Sequence, residues 1–268
     1  MAGTLIAPIP LIGKELAAFT VGLIDGNGSL QVNHWRQTYL QFRLIVKLAD
    51  KPHNDTMLRT IAAAYGGSVK KTSLKGQVGG SPVVIWVIND TQTIVNKIIP
   101  LFAQYPPLTT RMALQLAFVG LALNGMTIQD YLEARNNKYM DRAVTLPMSQ
   151  GIPNFFSSWL SGFTEAEGSF PLRTSSTSFT YTIAQNHDRY LITAIRDYFL
   201  MNHLTIQEKT YKANSNILYL VEIASTAGVQ RVIDHFIKYP LQGYKYVQFA
   251  EAIQKSSRFN HYSNHFYM

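Results

Sequence analysis

The sequence predicts an α+β fold made of two pseudo-symmetric halves, and two pairs of repeated segments indicate this. The segment FTVGLIDGNGS begins at Phe19, and the similar segment WLSGFTEAEGS begins at Trp159. A second pair, at 94–106 and 228–240, coincides in its apolar positions and in a final Tyr-Pro. Because two unrelated amphipathic helices would not share that ending, we predict a duplicated αββαββα unit.

The first half shows helix and strand patterns in that order. Apolar residues recur at helical spacing near its start, and the run 39–48 is rich in strand-forming residues. Asp55 is a candidate N-cap for a helix that stops at Gly66, a Gly-rich loop at 76–80 joins the second hairpin, and Pro106 stops a later helix. The predicted elements are helix 13–25, strands 29–36 and 38–48, helix 55–65, strands 68–72 and 82–88, and helices 91–104 and 108–123.

The second half repeats this order after a connecting segment. Turn residues and charges dominate 125–152, apart from a short helix near 128–134. The predicted elements that follow are helix 154–166, strands 169–174 and 177–186, helix 188–201, strands 204–211 and 216–224, and helices 226–238 and 241–256.

Each repeated segment combines a small residue inside a helix with polar residues at its end. Gly22 and Gly162 occupy equivalent positions, and glycine allows another backbone to approach closely. If the two helices pack side by side, Asn27 and Glu167 become neighbours at their C-terminal ends. Paired oxygen-bearing side chains are what a hard divalent cation requires.

The composition favours a polyanionic partner. The chain has 268 residues, with 24 Lys and Arg against 16 Asp and Glu, which is a net charge of +8. Because cysteine is absent, a disulfide framework, a thiolate nucleophile and a thiolate metal site are excluded. The N-terminus lacks the charged region of a signal peptide, and the longest apolar run, 112–123, is too short to span a bilayer, so we expect no membrane segment.

The predicted strands carry polar and basic side chains but few acids. No Asp or Glu occurs in 29–49, 66–89 or 169–187. A pleated sheet face with such residues can bond base edges and phosphates without the repulsion that a carboxylate would meet, although a solvated face that happens to lack acids is the alternative for any one strand. The predicted DNA-binding residues are Gln31, Asn33, Arg36, Gln41, Arg43, Lys70, Lys71, Arg173, Ser178, Thr180, Thr182 and Lys209.

The doubled segment resembles the signature of LAGLIDADG homing endonucleases and their intron-maturase relatives, in the single-chain form with two motifs. The resemblance covers nearly the whole chain. It implies a half-domain at 1–124, a linker at 125–152 and a half-domain at 153–268, with the motif helices at the interface and antiparallel sheets forming a DNA-binding saddle. It also implies a monomer that acts on a long pseudo-palindromic or asymmetric double-stranded DNA target, in the mitochondrion or another organelle that encodes it.

The resemblance further implies which residues carry the chemistry. In this family the last acidic residue of each motif holds a metal ion with the preceding backbone oxygen, while the first acidic residue caps the helix interface. The metal positions so implied, for Mg²⁺ or for Ca²⁺ or Mn²⁺ in its place, are Gly26, Asn27, Ala166 and Glu167. Lys47 and Gln185 lie at equivalent places near the end of the second strand of each half, where the family keeps a polar or basic residue that orders water at the site. Arg111 and Lys245 correspond at an offset of 134, where related proteins place a lysine that stabilises charge at the scissile phosphate. A solvated basic side chain is the alternative for each. The catalytic positions so implied are Asn27, Glu167, Lys47, Gln185, Arg111 and Lys245.

The chain departs from the family pattern at Asn27, where an acid is expected. An amide keeps the shape of a carboxylate but loses its charge and with it much of the affinity for a hard cation. We therefore expect binding to persist with weak cleavage, single-strand nicking or none. Asn27 is either an isosteric inactivating change in a nuclease or a mark of a natural non-cleaving relative, such as a maturase that binds intron RNA. A gain of Mg²⁺-dependent cleavage in Asn27→Asp would favour the first explanation.

Overall fold

A computed structural model of the protein describes residues 3–72, 81–144, 146–173, 178–210 and 216–268. The predicted Gly-rich loop at 76–80 and the predicted strand ends at 174, 177 and 211 lie outside these residues. In the described residues, no helix is long and apolar enough to cross a membrane.

The first half begins with the motif helix, which leads directly into a hairpin. Its elements are α1 (Gly13–Asn27), β1 (Gly28–Trp35), β2 (Tyr39–Ala49), α2 (Pro52–Tyr65), β3 (Ser68–Thr72), β4 (Val83–Ile88), α3 (Thr91–Thr93), a π-helical turn (Ile94–Ile98), α4 (Ile99–Gln104) and α5 (Thr110–Leu123). The short helix α6 (Ile128–Ala134) and a 3₁₀ turn (Met140–Ala143) follow it along the chain.

The second half has the same order of elements. They are α7 (Phe156–Glu167), β5 (Gly168–Ser169), β6 (Tyr181–Asn186), α8 (Arg189–Tyr198), β7 (Gln207–Thr210), β8 (Ile217–Ile223), α9 (Thr226–Lys238), α10 (Tyr244–Lys255) and a final 3₁₀ turn (Asn260–His265).

Within the described residues, the strands form two four-stranded antiparallel sheets with the same topology. Their strand orders are β1-β2-β4-β3 and β5-β6-β8-β7. Alternate residues of β2, such as Leu44 and Val46, belong to the buried core, as do Tyr181 and Ile183 of β6. The predicted α+β class with two similar halves is confirmed, whereas the boundaries at 124 and 152 stay a prediction.

The two motif helices, α1 and α7, pack directly against each other. An ideal Cβ atom on Gly22 would lie 1.9 Å from the carbonyl oxygen of Trp159, and one on Gly162 would lie 1.9 Å from that of Phe19. No real Cβ fits at that distance, so the close crossing depends on glycine in both helices. The predicted packing of the motif helices is therefore correct.

Several predicted helices differ in their bounds from the structure, and the reasons are clear for three of them in the first half. Asp55 is not a cap, since α2 begins at Pro52, and the Asp55 carboxylate instead pairs with Arg59 at 2.9 Å. The predicted helix 91–104 contains a π-helical turn, in which the Ile99 N–H donates to the carbonyl of Ile94. Pro100 follows directly and has no N–H to continue regular α-helical bonding. The predicted helix 108–123 begins at 110, because the side chain of Thr109 is its N-cap.

The predicted first strand of the second half is much shorter than expected. Among the described residues on either side of 174–177, only Gly168–Ser169 pairs regularly with β6, and an isolated bridge joins Leu172 to Phe179 further along. Pro171 lies between these points and has no N–H to donate, although its carbonyl accepts from Thr180. The proline therefore interrupts the ladder.

Candidate functional site

The C-terminal ends of the two motif helices meet, as predicted. An ideal Cβ on Gly26 would lie 2.2 Å from the Cβ of Ala166 and 3.5 Å from Oε1 of Glu167. Glu167 is half-buried, whereas the Asn27 side chain is exposed. The carboxylate of the second motif therefore lies beside the backbone of the first.

Asp25, the first acidic position of motif one, has a structural role. Its buried carboxylate accepts hydrogen bonds from the Leu108 N–H (2.7 Å), from the N–H and hydroxyl of Thr109 (3.2 and 2.6 Å) and from Nε1 of Trp159 (2.8 Å). Burial raises the pKa of Asp25 to about 6. The side chain thus joins α1 to the start of α5 and to α7.

Glu165 does the same in the second motif. Its buried carboxylate accepts from the backbone N–H groups of Gln242, Gly243 and Lys245 at 2.8, 2.7 and 3.2 Å. Burial raises the pKa of Glu165 to about 7. Both first acids therefore bind the turn or first residues of the last long helix of their own half, which agrees with the capping role inferred from the sequence.

A second pair of contacts joins the halves and was missed at the sequence level. Asp188 accepts from the backbone N–H and the hydroxyl of Thr110 (3.1 and 2.5 Å), and Asn54 accepts from the N–H of Tyr244 (2.8 Å). Asn54 and Asp188 are 134 positions apart, and so are Thr110 and Tyr244. The repeated Tyr-Pro segments have the same offset. That offset was the signal that could have revealed them.

Arg111 and Lys245 both lie near Glu167. The Arg111 guanidinium donates to the carbonyl oxygens of Gly28 (2.5 Å), Asp25 (2.6 Å) and Gly26 (3.1 Å) at the end of α1. Burial raises the pKa of the Glu167 carboxyl, and the charges of Arg111 and Lys245 lower it in part. Burial likewise lowers the pKa of Lys245, against the opposing effect of Glu165 and Glu167. The Glu167 carboxylate therefore lies within electrostatic range of two basic side chains.

The two motifs differ in how well they fit a metal ion. Glu167 provides a carboxylate in the second motif, and carboxylate oxygens suit a hard cation. In the first motif, Asn27 is neutral and the Gly26 carbonyl already accepts from Arg111. Among the described residues, no three His, Asp or Glu side chains are grouped so as to hold a metal by themselves.

The first sheet presents the predicted polar residues on the face away from the core. Gln31 pairs across the strands with Arg43, and Asn33 pairs with Gln41. Lys47 of β2 and Lys70 of β3 both lie opposite Ile85 of β4, so their side chains are on the same face of the sheet. Nε of Arg43 is buried and has no hydrogen-bond partner within the described part of the chain.

Two predicted DNA-binding residues of this half are placed differently. Because successive side chains of a strand point to opposite faces, Lys71 lies on the face of β3 opposite to Lys70. Its ammonium pairs with Asp50 at 2.9 Å. Arg36 lies in the turn between β1 and β2, where its guanidinium covers the ring of Trp35 at 5.3 Å. Lys71 therefore does not belong to the polar face, whereas Arg36 is exposed in the turn that joins β1 to β2.

The second sheet agrees less well with the sequence prediction. Ser178 and Thr180 are buried, at 6% and 2% exposure, so neither offers its side chain to a duplex in this structure. Arg173 is exposed but forms an ion pair with Glu222 at 2.9 Å, an acid that strand β8 brings alongside it. Thr182 is partly exposed and Lys209 is exposed on the edge strand β7.

The proposed equivalence of Lys47 and Gln185 is wrong by one residue. Gly28 pairs with Val46, and Gly168, its counterpart after the second motif, pairs with Ile183. The residue equivalent to Lys47 is therefore Ala184. Gln185 lies on the core face and is 8% exposed, because successive side chains of a strand point to opposite faces.

Comparisons with known proteins support one family. The LAGLIDADG endonuclease family model matches residues 20–120 and 160–255. A relative from Dictyostelium citrinum, described as "Probable intron-encoded endonuclease aI3", is 37% identical over 233 residues, covering 87% of this chain and 91% of the relative. One with the same description from Debaryomyces hansenii is 33% identical over 266 residues, where 87% of this chain matches 37% of the relative's length.

Solved structures share the fold at low sequence identity. The LAGLIDADG homing endonuclease I-LtrWI, bound to target DNA, has a TM-score of 0.64 at 18% identity, covering 94% of this chain and 96% of that one. I-GzeII, in complex with its DNA target, has a TM-score of 0.65 at 17% identity, covering 92% of each chain. With a family match at both motifs and a relative at 37% identity, this chain belongs to the LAGLIDADG endonuclease family.

Proposed function

We propose that the protein binds double-stranded DNA sequence-specifically and hydrolyses a phosphodiester bond with the help of a divalent cation, at a rate that Asn27 reduces. The observation that carries this proposal is the Glu167 carboxylate beside Gly26, near both Arg111 and Lys245, where the two motif helices end. The I-LtrWI and I-GzeII structures contain DNA targets, and this chain shares their fold.

Within this proposal, each group near the junction has a defined task. Glu167 and the Ala166 carbonyl would hold Mg²⁺, which when bound activates water and relieves charge on the phosphate. Lys245 and Arg111 place positive charge beside the same carboxylate, where the scissile phosphate would lie. Lys47 stands on the exposed face of β2 and can order water near the first motif, whereas Ala184 offers no such group in the second half.

Because of Asn27, we expect the two strands of the DNA target to be cleaved at unequal rates. The first motif lacks the carboxylate that Glu167 supplies in the second, so we expect slow cleavage that favours one strand. The polar face of the first sheet remains, so affinity for DNA is kept. We further propose that the chain acts as a monomer with half-domains at 1–124 and 153–268 joined by 125–152. We also propose that it acts in the mitochondrion, which the description of its relatives as intron-encoded supports.

A selection experiment tests the proposal. Duplexes bound by the protein are selected from a random library, and the winning sequence is placed in a supercoiled plasmid with Mg²⁺. We expect open-circular plasmid to accumulate well before linear plasmid, and Glu167→Gln to stop nicking while leaving affinity within a few-fold. Failure to select any duplex, or unchanged nicking by Glu167→Gln, would overturn the proposal.

The second candidate is a non-cleaving cofactor that binds group I intron RNA, which the neutral side chain of Asn27 favours. Filter binding separates the two candidates, since the same protein is titrated with the selected duplex and with a structured intron RNA. Tighter binding to the RNA, together with no Mg²⁺-dependent nicking, would support the RNA-splicing role.

A further inference from the structure

We propose that the Arg111 guanidinium takes the place of a divalent cation at the first motif, so that the protein binds one divalent ion, at Glu167, and not two. This inference rests on the proposed function, because it concerns the same junction of the two motif helices. It assigns the functional difference between the two motifs to a pair of residues, Asn27 and Arg111, and not to Asn27 alone.

The contacts of Arg111 are those of a bound cation. Its guanidinium donates to three carbonyl oxygens, those of Gly28, Asp25 and Gly26, within 3.1 Å. These groups lie at the C-terminal end of α1, where carbonyls lack helical partners and the helix dipole is negative. The Gly26 carbonyl is the backbone oxygen expected to hold a metal, and here a fixed positive charge already lies against it.

The second motif lacks this arrangement. Lys245 corresponds to Arg111 at the offset of 134, but among the described residues its ammonium donates no hydrogen bond to a carbonyl of the second motif. A guanidinium has five donors in a rigid fork, whereas an ammonium is a compact charge on a flexible stem. Glu167 therefore stays available to an ion, while the Gly26 carbonyl of the first motif already accepts from Arg111.

Charge at the first motif leads to the same conclusion. Asn27 is neutral, and the Asp25 carboxylate is buried and fully occupied by Leu108, Thr109 and Trp159. A divalent ion at this position would face the guanidinium without an opposing carboxylate from its own motif. Asn27→Asp alone would supply that carboxylate next to Arg111, which can pair with it and keep the Gly26 carbonyl covered.

Arg111→Lys in the Asn27→Asp background would make the first motif resemble the second, with an acid and a lysine. Bound Mn²⁺ is counted by the loss of the free-ion EPR signal, in complexes with the selected duplex and after subtraction of the duplex alone. We expect one ion in the wild-type complex, none in Glu167→Gln, one in Asn27→Asp and two in the double variant. Thermal unfolding and duplex affinity show that each variant is folded.

The counts distinguish the outcomes. Two ions in the wild type or in Asn27→Asp would overturn the inference, as would one ion in the double variant or a retained ion in Glu167→Gln. If no duplex emerges from the selection, the proposed function fails, and the same four proteins are titrated with Mn²⁺ in the absence of DNA. Equal counts in Asn27→Asp and the double variant would then refute the role of Arg111 by itself.

Discussion

Gly22→Ala should destabilise the protein by forcing the motif helices apart. The added methyl group would lie 1.9 Å from the carbonyl oxygen of Trp159 and 2.8 Å from the backbone nitrogen of Phe163. Since both are backbone atoms, no side-chain rotation relieves the contact. The helices must instead separate by about 1 Å, which disturbs the buried surface of both.

The magnitude follows from two opposing terms. Overpacking a core costs about 1 to 3 kcal/mol, and a collision with backbone belongs at the upper end. Alanine is favoured over glycine inside a helix by about 1 kcal/mol. The net loss is therefore about 2 kcal/mol, which for a chain of this size lowers the melting temperature by about 4 to 8 °C.

The matched control is Gly120→Ala in α5. An ideal Cβ on Gly120 meets nothing within 4 Å in the described structure. This substitution should raise stability by up to about 1 kcal/mol, because only the helix preference of alanine acts. Circular dichroism during heating and during urea titration measures both variants.

The double variant Gly22→Ala with Gly162→Ala tests the mechanism. Both clashes occur at one crossing, so a separation that accommodates the first methyl group accommodates much of the second. The loss in the double variant should therefore be clearly smaller than the sum of the two single losses. Additive losses, or a Gly22→Ala protein that melts at the wild-type temperature, would refute the reasoning.

Three further predictions follow from buried and exposed charges. Burial lowers the pKa of His235 to about 3, so the unfolded chain takes up its proton first and the contribution of this side chain to stability should fall as pH drops from about 6.5 towards 3. Asp25 and Glu165, whose pKa values are raised by burial, act in the opposite direction in both proteins, so the measured quantity is the stability of the wild type minus that of His235→Gln in urea titrations, and a difference that does not change over this pH range would contradict the prediction. Asp188→Ala leaves the Thr110 N–H without its acceptor and should lower the free energy of unfolding by about 1 to 3 kcal/mol, as measured by chemical denaturation. The control Asp55→Ala removes an exposed ion pair and should change it little. Lys70→Ala should reduce the salt dependence of duplex binding by about 0.9 in the slope of log affinity against log salt, and an unchanged slope would place that residue outside the interface.

Local signals were sufficient to predict the fold and the motif junction. The glycines at 22 and 162 predicted a close helix crossing because glycine has a single physical advantage there, the absence of a Cβ atom. The helix end before Pro106 was also readable, whereas the helix starts at Pro52 and after the Thr109 cap were not recognised. The π-helical turn was not readable, since it depends on how Pro100 is accommodated by the surrounding structure.

Predictions that depended on strand register were less successful. Side chains alternate along a strand, so a one-residue slip in aligning the halves exchanged Ala184 for Gln185 and moved the prediction to the core face. Ser178 and Thr180 belong to a polar stretch, yet they are buried beside a ladder that Pro171 interrupts. Composition cannot distinguish a polar residue on a sheet face from one that neighbouring chain covers.

In each motif one residue determines helix packing and another determines the charge of the site. One motif can therefore lose its acid without losing the fold. Asn27 is exposed and follows the last buried position of α1, Asp25, which retains all its hydrogen bonds. A change between Asp and Asn at 27 therefore alters no core contact and no cap. By contrast, a change from Asp to Asn at 25 would turn an amide nitrogen towards donors. The crossing of the helices constrains residue 25, whereas only the electrostatics of the junction constrain residue 27, so the chemistry of the two motifs can diverge while their geometry stays symmetric.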